Sequence, residues 1–352
     1  MTIGDPTKLK VAKELGRPGI LFCLARAPGS TRLFTGCSDG KVYDLDIAAE
    51  KPEAKEFVGH ESYVTGLALA GGALVSGSWD GSLIWWNIET REVIRKVAAH
   101  ARWVRGVTAS PDGKLISSVS DDMTCKLWNA ETGELVRTLE GHEKTTPHHY
   151  PSMLFVSAFS ADGQRLATAD KVGHVVIWDV ATGNKLAAVE APTMYTWDPR
   201  QRRHSIGGIR SLAFSPDGKL LATGGIGQIE NIDHLGAAAR IEVFDWQEGK
   251  RTHEFPGDNY KGLIEQLAFT PAGDTLIATG GDNNGFIKFV DLKDNKIIHQ
   301  DKAPMHVYAM SVGEMWDTLY AAGHGKIVAW EFKAEAPAPA AETAAEGESK
   351  SP

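Results

Sequence analysis

The chain has 352 residues, 42% hydrophobic and 23% charged, a balance typical of a folded globular protein and not of a disordered or fibrous one. No apolar run reaches the length of about 18 residues that a transmembrane helix requires, and residues 1–16 lack the apolar stretch of a secretory signal. The formal net charge of -8 disfavours nucleic-acid binding, which requires a basic surface. Cys23, Cys37 and Cys125 lie in or beside apolar runs, so we expect reduced, buried thiols in a cytoplasmic protein.

A repeating pattern of apolar runs follows a short N-terminal segment. Residues 1–7 are predicted to be flexible, and 9–15 form a strand-like run. Similar apolar runs then recur roughly every 40 to 55 residues, the spacing of a repeat architecture. They begin at Leu21, Val64, Val104, Leu154, Ile209, Ile264 and Val307.

Each repeat reads as three strands and a weaker fourth, separated by turns. The third unit shows this order in segments 104–110, 115–119, 124–128 and 136–139, with turns at Pro111-Asp112-Gly113 and Asp121-Asp122. Pro fixes φ, Asp hydrogen-bonds to its own backbone, and Gly accepts a positive φ, which together favour a tight hairpin turn. The pattern therefore predicts an all-β fold of small antiparallel sheets.

Two kinds of dipeptide carry a family resemblance. They are Gly59-His60 and Gly141-His142 near the start of a unit, and Trp128-Asn129 and Trp178-Asp179 near its end. A unit with this order resembles the WD-repeat family, over residues 8–333. The resemblance implies a seven-bladed β-propeller with four-stranded antiparallel blades. The fifth to seventh units lack a recognisable Gly-His, so the strand pattern leaves six or eight blades open.

The resemblance also implies a structural hydrogen-bond network in each complete unit, joining the Gly-His imidazole, a Ser or Thr, a turn Asp and the Trp indole. The expected members are His60, Ser76, Asp80 and Trp86 in the second unit, His100, Ser118, Asp122 and Trp128 in the third, and His142, Thr168 and Trp178 in the fourth. In the fourth unit Val172 stands at the Asp position. A His with a carboxylate and a hydroxyl also fits a catalytic triad. Repetition in successive units favours a structural network.

The two chain ends are expected to meet. The last unit supplies only three strands, 307–312, 318–322 and 326–332, which would leave an exposed sheet edge. The N-terminal run 9–15 is predicted to fill this edge and close the ring. Residues 334–352 are rich in Ala, Pro and Glu, and we expect a disordered tail.

Three long insertions are candidates for function. They comprise residues 142–153, 190–208 and 225–239, which join the third unit to the fourth, the fourth to the fifth, and the second to the third strand of the fifth. The resemblance implies that all three lie at one end of the propeller, which we call the top face. Long loops in compact domains are usually functional or disordered.

The residues of these loops suit recognition of another protein. Tyr195 and Trp197 offer apolar contact area, and Arg200, Arg202 and Arg203 offer forked donors for carboxylate or phosphate groups. Tyr63, Trp79, Trp103 and Arg105 are predicted to lie on the same rim. We therefore expect a monomeric interaction scaffold, without cofactor or membrane attachment, that binds a peptide or protein of acidic character. The alternative for the loops is that their aromatic rings pack on their own blade.

Two other functions fit some of the same residues. His148, His149, His204, Asp233 and His234 all lie in the insertions, and converging loops could form the metal site of a propeller hydrolase. No HExxH or CxxC spacing supports this, so we expect no enzyme. Nucleic-acid binding through residues 200–204 is the third alternative, which the net charge disfavours.

Overall fold

The computed structural model describes residues 3–199, 204–230, 234–257 and 260–332. Arg200, Arg202, Arg203 and Asp233, four of the residues proposed from the sequence, lie outside these ranges. Within them, regular structure is entirely β apart from two 3-10 turns at Pro6–Lys8 and Pro192–Met194. No helix in these ranges is long and apolar enough to cross a bilayer.

The strands follow one another as successive antiparallel sheets. The first four are β1 (Leu9–Arg26), β2 (Arg32–Cys37), β3 (Lys41–Asp46) and β4 (Lys55–Val58). The second sheet contains β5 (Val64–Ala70), β6 (Ala73–Ser78), β7 (Ser82–Trp86) and β8 (Val93–Ala98). The third sheet contains β9 (Val104–Ala109), β10 (Leu115–Ser120), β11 (Thr124–Asn129) and β12 (Leu135–Glu140).

The second half of the chain continues this order. The fourth sheet contains β13 (Leu154–Phe159), β14 (Arg165–Asp170), β15 (His174–Asp179) and β16 (Lys185–Glu190), and a separate hairpin is formed by β17 (Tyr195–Asp198) and β18 (His204–Gly207). The fifth sheet contains β19 (Ser211–Phe214), β20 (Leu220–Ile226), β21 (Ala239–Asp245) and β22 (Lys250–Phe255). The sixth contains β23 (Leu263–Phe269), β24 (Thr275–Gly281), β25 (Gly285–Asp291) and β26 (Lys296–Ala303), and the last strands are β27 (Val307–Val312) and β28 (Thr318–Phe332).

The two chain ends share one six-stranded sheet, the closing sheet, in the order β27-β28-β1-β2-β3-β4. The first half of β1 pairs with β28, from Leu9 opposite Phe332 to Gly16 opposite Lys326. Its second half pairs with β2, beginning at Leu21 opposite Cys37. The pairing register shifts between Gly16 and Ile20, around Pro18 and Gly19, so each half of β1 meets a different neighbour.

The predicted count of seven separate four-stranded blades is wrong. The described residues form six blade sheets, five with four strands and one with six. The first and last predicted units lie in the same sheet because β1 runs through both without a break. The expected pairing of the N-terminal run with the end of the chain is present in the β1–β28 register.

Apolar clusters between neighbouring sheets hold the ring together. Trp85 of the second sheet packs with Ile116 and Trp128 of the third. Phe34 of the closing sheet packs with Val64 of the second, and Ile287 of the sixth packs with Val307 of the closing sheet. Burial of such side chains stabilises the fold by about 25 cal/mol for each Å² of apolar surface removed from water. The fold is therefore an all-β propeller whose core lies between its sheets.

A central channel of about 840 Å³ runs along the innermost strands of the sheets. Residues of β1, β5, β9, β13, β19, β23 and β27 line it, so the closing sheet contributes two strands to its wall. At one end, the bottom face, lie the short turns after these strands. In one such turn Ser110 Oγ donates to Asp112 Oδ1 at 2.7 Å, and Gly113 has a φ of +68°. The opposite end is the top face.

Candidate binding surface on the top face

The structure brings the three insertions together at the top face. Thr196 Oγ1, in β17, accepts a hydrogen bond of 3.0 Å from the backbone N–H of Ile229. The Gln228 amide donates to the backbone carbonyls of Thr193 and Tyr195 at 3.0 and 2.8 Å. Ile226 and Ile229 also share an apolar cluster with Ile206. The loop within the fifth sheet is thereby fixed to the loop that precedes that sheet.

Four half-buried rings connect this hairpin to the insertion before the fourth sheet. We call His148, Tyr150, Tyr195 and Trp197 the loop cluster. The His148 ring stacks on Trp197 with centroids 4.5 Å apart, and His148 Nδ1 lies 2.9 Å from the Tyr195 hydroxyl. The Tyr150 ring lies 5.1 Å from that of Trp197. Tyr195 and Trp197 were predicted to contact a partner, but part of their surface packs between the loops.

A continuous run of aromatic rings follows the rim on the other side of the channel. We call Tyr308, Phe22, Tyr63, Trp79 and Trp103 the aromatic arc. The centroid distances along it are 5.3, 5.6, 4.6 and 4.1 Å. Large side chains remain open to solvent here, since Tyr63 is 38% and Trp103 44% exposed.

Arg105 lies between the aromatic arc and the fourth sheet. Its guanidinium lies 5.1 Å from the ring of Trp79, 5.0 Å from that of Trp103 and 5.7 Å from that of Phe155. It also donates two hydrogen bonds of 2.7 Å to Asp121. This fork-to-carboxylate pairing fixes the side chain, so Arg105 orders the rim as well as contributing charge to it.

The network residues of the second and third sheets are in contact. His60 Nδ1 lies 3.0 Å from Asp80 Oδ2, and His60 Nε2 lies 2.7 Å from Ser76 Oγ. Trp86 Nε1 donates to the same Ser76 oxygen at 2.7 Å. A Cβ on Gly59 would lie 2.8 Å from the Trp86 ring, so only glycine fits before His60.

The third sheet repeats the arrangement. His100 lies 3.0 Å from Asp122 and 2.7 Å from Ser118, and Trp128 Nε1 donates to Ser118 Oγ at 2.9 Å. Each serine oxygen is thereby held between an imidazole and an indole, as a buried hydroxyl requires. The His60 and His100 side chains and both serines are fully buried, so these two networks are closed to solvent.

The fourth sheet differs from the prediction. Asp170, at the end of β14, lies 2.9 Å from His142 Nδ1 and takes the place assigned to position 172. Thr168 Oγ1 lies 2.8 Å from His142 Nε2 and accepts from Trp178 Nε1 at 2.8 Å. The carboxylate also accepts from the backbone N–H of Val172, so it closes the turn from two residues earlier in the chain. The network is complete, with its acid moved from the turn to the strand.

Hydrogen bonds hold the turn carboxylates of the second and third sheets in their charged form. Burial opposes this, but bonds from His60, Ser82 and backbone N–H groups keep the pKa of Asp80 well below its usual range. The pKa of Asp122 is lowered in the same way, by His100 and Thr124. These two carboxylates therefore stabilise the fold and are not part of the binding surface on the top face.

The histidines proposed as metal ligands do not form a common site in the described residues. His148 is engaged with Tyr195, while His149, His204 and His234 are exposed. In the residues that the structure covers, no group of three or more His, Cys, Asp or Glu is arranged to hold a metal ion. Cys23, Cys37 and Cys125 are buried and unpaired, and burial raises the pKa of Cys23 and Cys125.

Several residues of the top face were missed in the sequence. Phe22, Phe155, Arg210 and Tyr308 each directly follow the buried residue that begins an apolar run of the repeat, as Arg105 does. All of them line the channel. Side chains alternate along an extended chain, so the residue after the buried one points to the opposite side, here the channel. Aligning this one position across the repeats is the signal that would have found them.

The repeats of this propeller match a known family. Residues 51–87, 91–129 and 199–228 match the WD domain, G-beta repeat family. The first two matches run from the outer strand of one sheet to the third strand of the next, β4 to β7 and β8 to β11. The chain therefore carries WD40 repeats, and the resemblance predicted from the Gly-His and Trp-Asp pairs is confirmed. Propellers of this kind typically serve as scaffolds for protein interactions.

Similar curated proteins share parts of their length with this chain. Telomerase protein component 1 of Mus musculus is 26% identical over 260 residues, covering 74% of this chain and 8% of that protein. Apoptotic protease-activating factor 1 of Homo sapiens is 33% identical over 168 residues, covering 47% of this chain and 12% of that protein. WD repeat-containing protein VIP3 of Arabidopsis thaliana is 24% identical over 208 residues, covering 59% and 58%. The chain thus spans less than two thirds of each relative.

Proposed function

We propose that this propeller is a non-enzymatic scaffold that binds an extended, acidic segment of another protein on its top face. The aromatic arc and the loop cluster form the docking surface. The chain acts as a monomer in the cytoplasm, and the binding energy comes from burial of aromatic rings and pairing of cations with carboxylates.

The aromatic arc is the observation that carries this proposal. Tyr63 and Trp103 are each more than a third exposed although they stack on neighbouring rings. Contact of this apolar surface with water is unfavourable, and such a patch marks an interaction site. Trp and Tyr are enriched in the energetic centres of protein interfaces, since they bury much surface for little loss of side-chain entropy. Both aromatic groups, the arc and the loop cluster, lie at the same end of the ring.

The charge distribution favours an acidic ligand. The protein as a whole carries a formal charge of -8, so an acidic segment would be repelled from most of its surface. Arg105, Lys171 and Arg210 influence one another electrostatically beside Phe155. A local cationic patch on an otherwise acidic protein favours an acidic ligand and also determines where on the surface it binds.

Affinity capture with matched variants tests the proposal. The tagged full chain is used to capture proteins from its own cells, and the bound proteins are quantified by mass spectrometry. Trp103→Ala and Trp197→Ala should each reduce the same partner at least about tenfold, as expected for interface hot spots. Met315→Ala serves as the control, because Met315 is 63% exposed in a bottom-face turn. Equal capture by all three variants would refute the proposed surface.

A further inference from the structure

The mouth of the channel at the top face holds cations that its own acids do not neutralise. Arg105 is paired with Asp121. Neither Lys171 nor Arg210 has a hydrogen-bonded acid among the described residues. Glu265 acts on Arg210 electrostatically, but its carboxylate lies 3.5 Å from His306 Nε2. Three cations thus share two carboxylates, one of which also faces an imidazole.

These cations are built into the structure and do not lie on mobile surface chains. The Arg210 guanidinium lies 3.6 Å from the centroid of Phe155. Lys171 is 6% exposed, and its backbone N–H donates to Met153 at 2.9 Å in the turn after β14. Gly208 covers it so closely that a Cβ there would lie 2.8 Å from the Lys171 Cα. The loop before the fifth sheet therefore packs closely on the backbone of Lys171, and the Lys171 side chain is near enough to the channel residues Arg105 and Arg210 to feel their charges.

Donors at the same mouth lack acceptors. Arg210 Nε and Trp79 Nε1 are shielded from solvent, and no acceptor for either occurs in the described part of the chain. Burial lowers the pKa of Arg210 to about 10, and burial together with the Arg210 charge lowers the pKa of Lys171. Shielded donors without acceptors are uncommon in folded proteins, and a group of them around a cavity marks a place for a ligand's oxygen atoms.

We propose that Lys171 and Arg210, with Arg105 and the Trp79 indole beside them, bind a side-chain carboxylate of the acidic segment that docks on the top face. This inference rests on the proposed function and names its charge-selecting residues. A carboxylate brings one negative charge and two acceptor oxygens, which balances the single excess cation. A phosphate dianion would bring one negative charge more than the excess cation can neutralise, and Asp121 and Glu265 would repel it.

Binding of a defined peptide tests this assignment. The probe is a fluorescein-labelled hexaglutamate peptide with an amidated C-terminus, and fluorescence anisotropy reports its binding to the full chain at low ionic strength. Lys171→Gln and Arg210→Gln should each weaken binding by about tenfold or more, and the labelled hexaglutamine peptide should not bind. Lys114→Gln is the matched control, because its side chain is 81% exposed in a bottom-face turn.

Thermal unfolding of the same variants separates a binding role from a structural one. A cation held without a partner strains the fold, so Lys171→Gln should melt at the same temperature as the unmodified protein or higher. A clearly lower melting temperature would give Lys171 a structural role and overturn the proposal. Equal peptide affinity in all variants, or no hexaglutamate binding at all, would also overturn it. Displacement by inorganic phosphate at concentrations where acetate has no effect would overturn the carboxylate assignment.

These experiments distinguish a failure of the carboxylate site from a failure of the docking surface. If Trp103→Ala loses its partner while Lys171→Gln and Arg210→Gln retain both partner and peptide, the top face binds protein but the carboxylate site is wrong. If Trp103→Ala and Trp197→Ala retain the partner, the docking surface itself is wrong, whatever the hexaglutamate peptide does.

Discussion

The indole of Trp79 lies parallel to that of Trp103, with ring centroids 4.1 Å apart and planes inclined by 2°. Trp79 also contacts Tyr63, whose ring centroid lies 4.6 Å away. The half-buried Trp79 ring therefore supports the Trp103 ring, which is 44% exposed. This arrangement lets a binding residue be removed at little cost to the fold.

Trp103→Ala should lower the free energy of unfolding by about 0.5–1.5 kcal/mol, the range of an aromatic pair interaction. Trp86→Ala, which removes a buried ring and opens a cavity, should cost about 3–5 kcal/mol. Urea unfolding of the two variants measures the difference. An equal loss in both would make Trp103 a core residue and remove the main argument for the binding surface.

The stability of the propeller should fall in acid through Asp80 and Asp122. Their pKa values are lower in the folded chain than the value near 3.9 expected when unfolded. The stabilisation is therefore fully present above about pH 5 and is lost as pH falls through the folded pKa values. Asp80→Asn should weaken the fold at neutral pH and flatten this acid dependence. Urea midpoints across the pH range measure it, with exposed Glu53→Gln as the control; an unchanged acid slope in Asp80→Asn would contradict the account.

The displaced acid of the fourth sheet gives a reconstruction test. Asp170→Ser should cost about 1–3 kcal/mol, because it leaves His142 without its acceptor. Adding Val172→Asp restores the order found in the second and third sheets, where a serine is followed two residues later by the turn aspartate. The double variant should recover most of the loss in thermal unfolding. No recovery would show that the two geometries are not interchangeable.

Deletion of residues 1–16 should disrupt the closing sheet. It removes the half of β1 that pairs with β28 and exposes the strand edge from Lys326 to Phe332. We expect loss of soluble protein with a single cooperative unfolding transition, measured by size-exclusion chromatography and calorimetry. Removal of residues 334–352 is the control. A chain without residues 1–16 that melts like the full chain would show that this pairing is dispensable.

The sequence indicated the propeller because turn chemistry and strand spacing repeat along the chain. The number of sheets could not be predicted from the sequence, because no residue pattern shows that β1 stays continuous past Pro18 and Gly19. The sequence left the fourth sheet without its acid, because Val172 stands at the expected position and the aspartate that contacts His142 lies two residues earlier. The sequence did not single out Lys171 and Arg210. Their burial and their lack of a hydrogen-bonded acid among the described residues depend on packing and not on residue type.

Site-specific photocross-linking tests the central claim most directly. A benzophenone amino acid is placed at position 103 on the top face and, separately, at position 315 on the bottom face of the full chain. Cross-linked products are then identified by mass spectrometry. The account predicts that position 103 cross-links to an acidic segment of a partner protein and that position 315 does not. Cross-linking of that same partner from position 315 alone would contradict it.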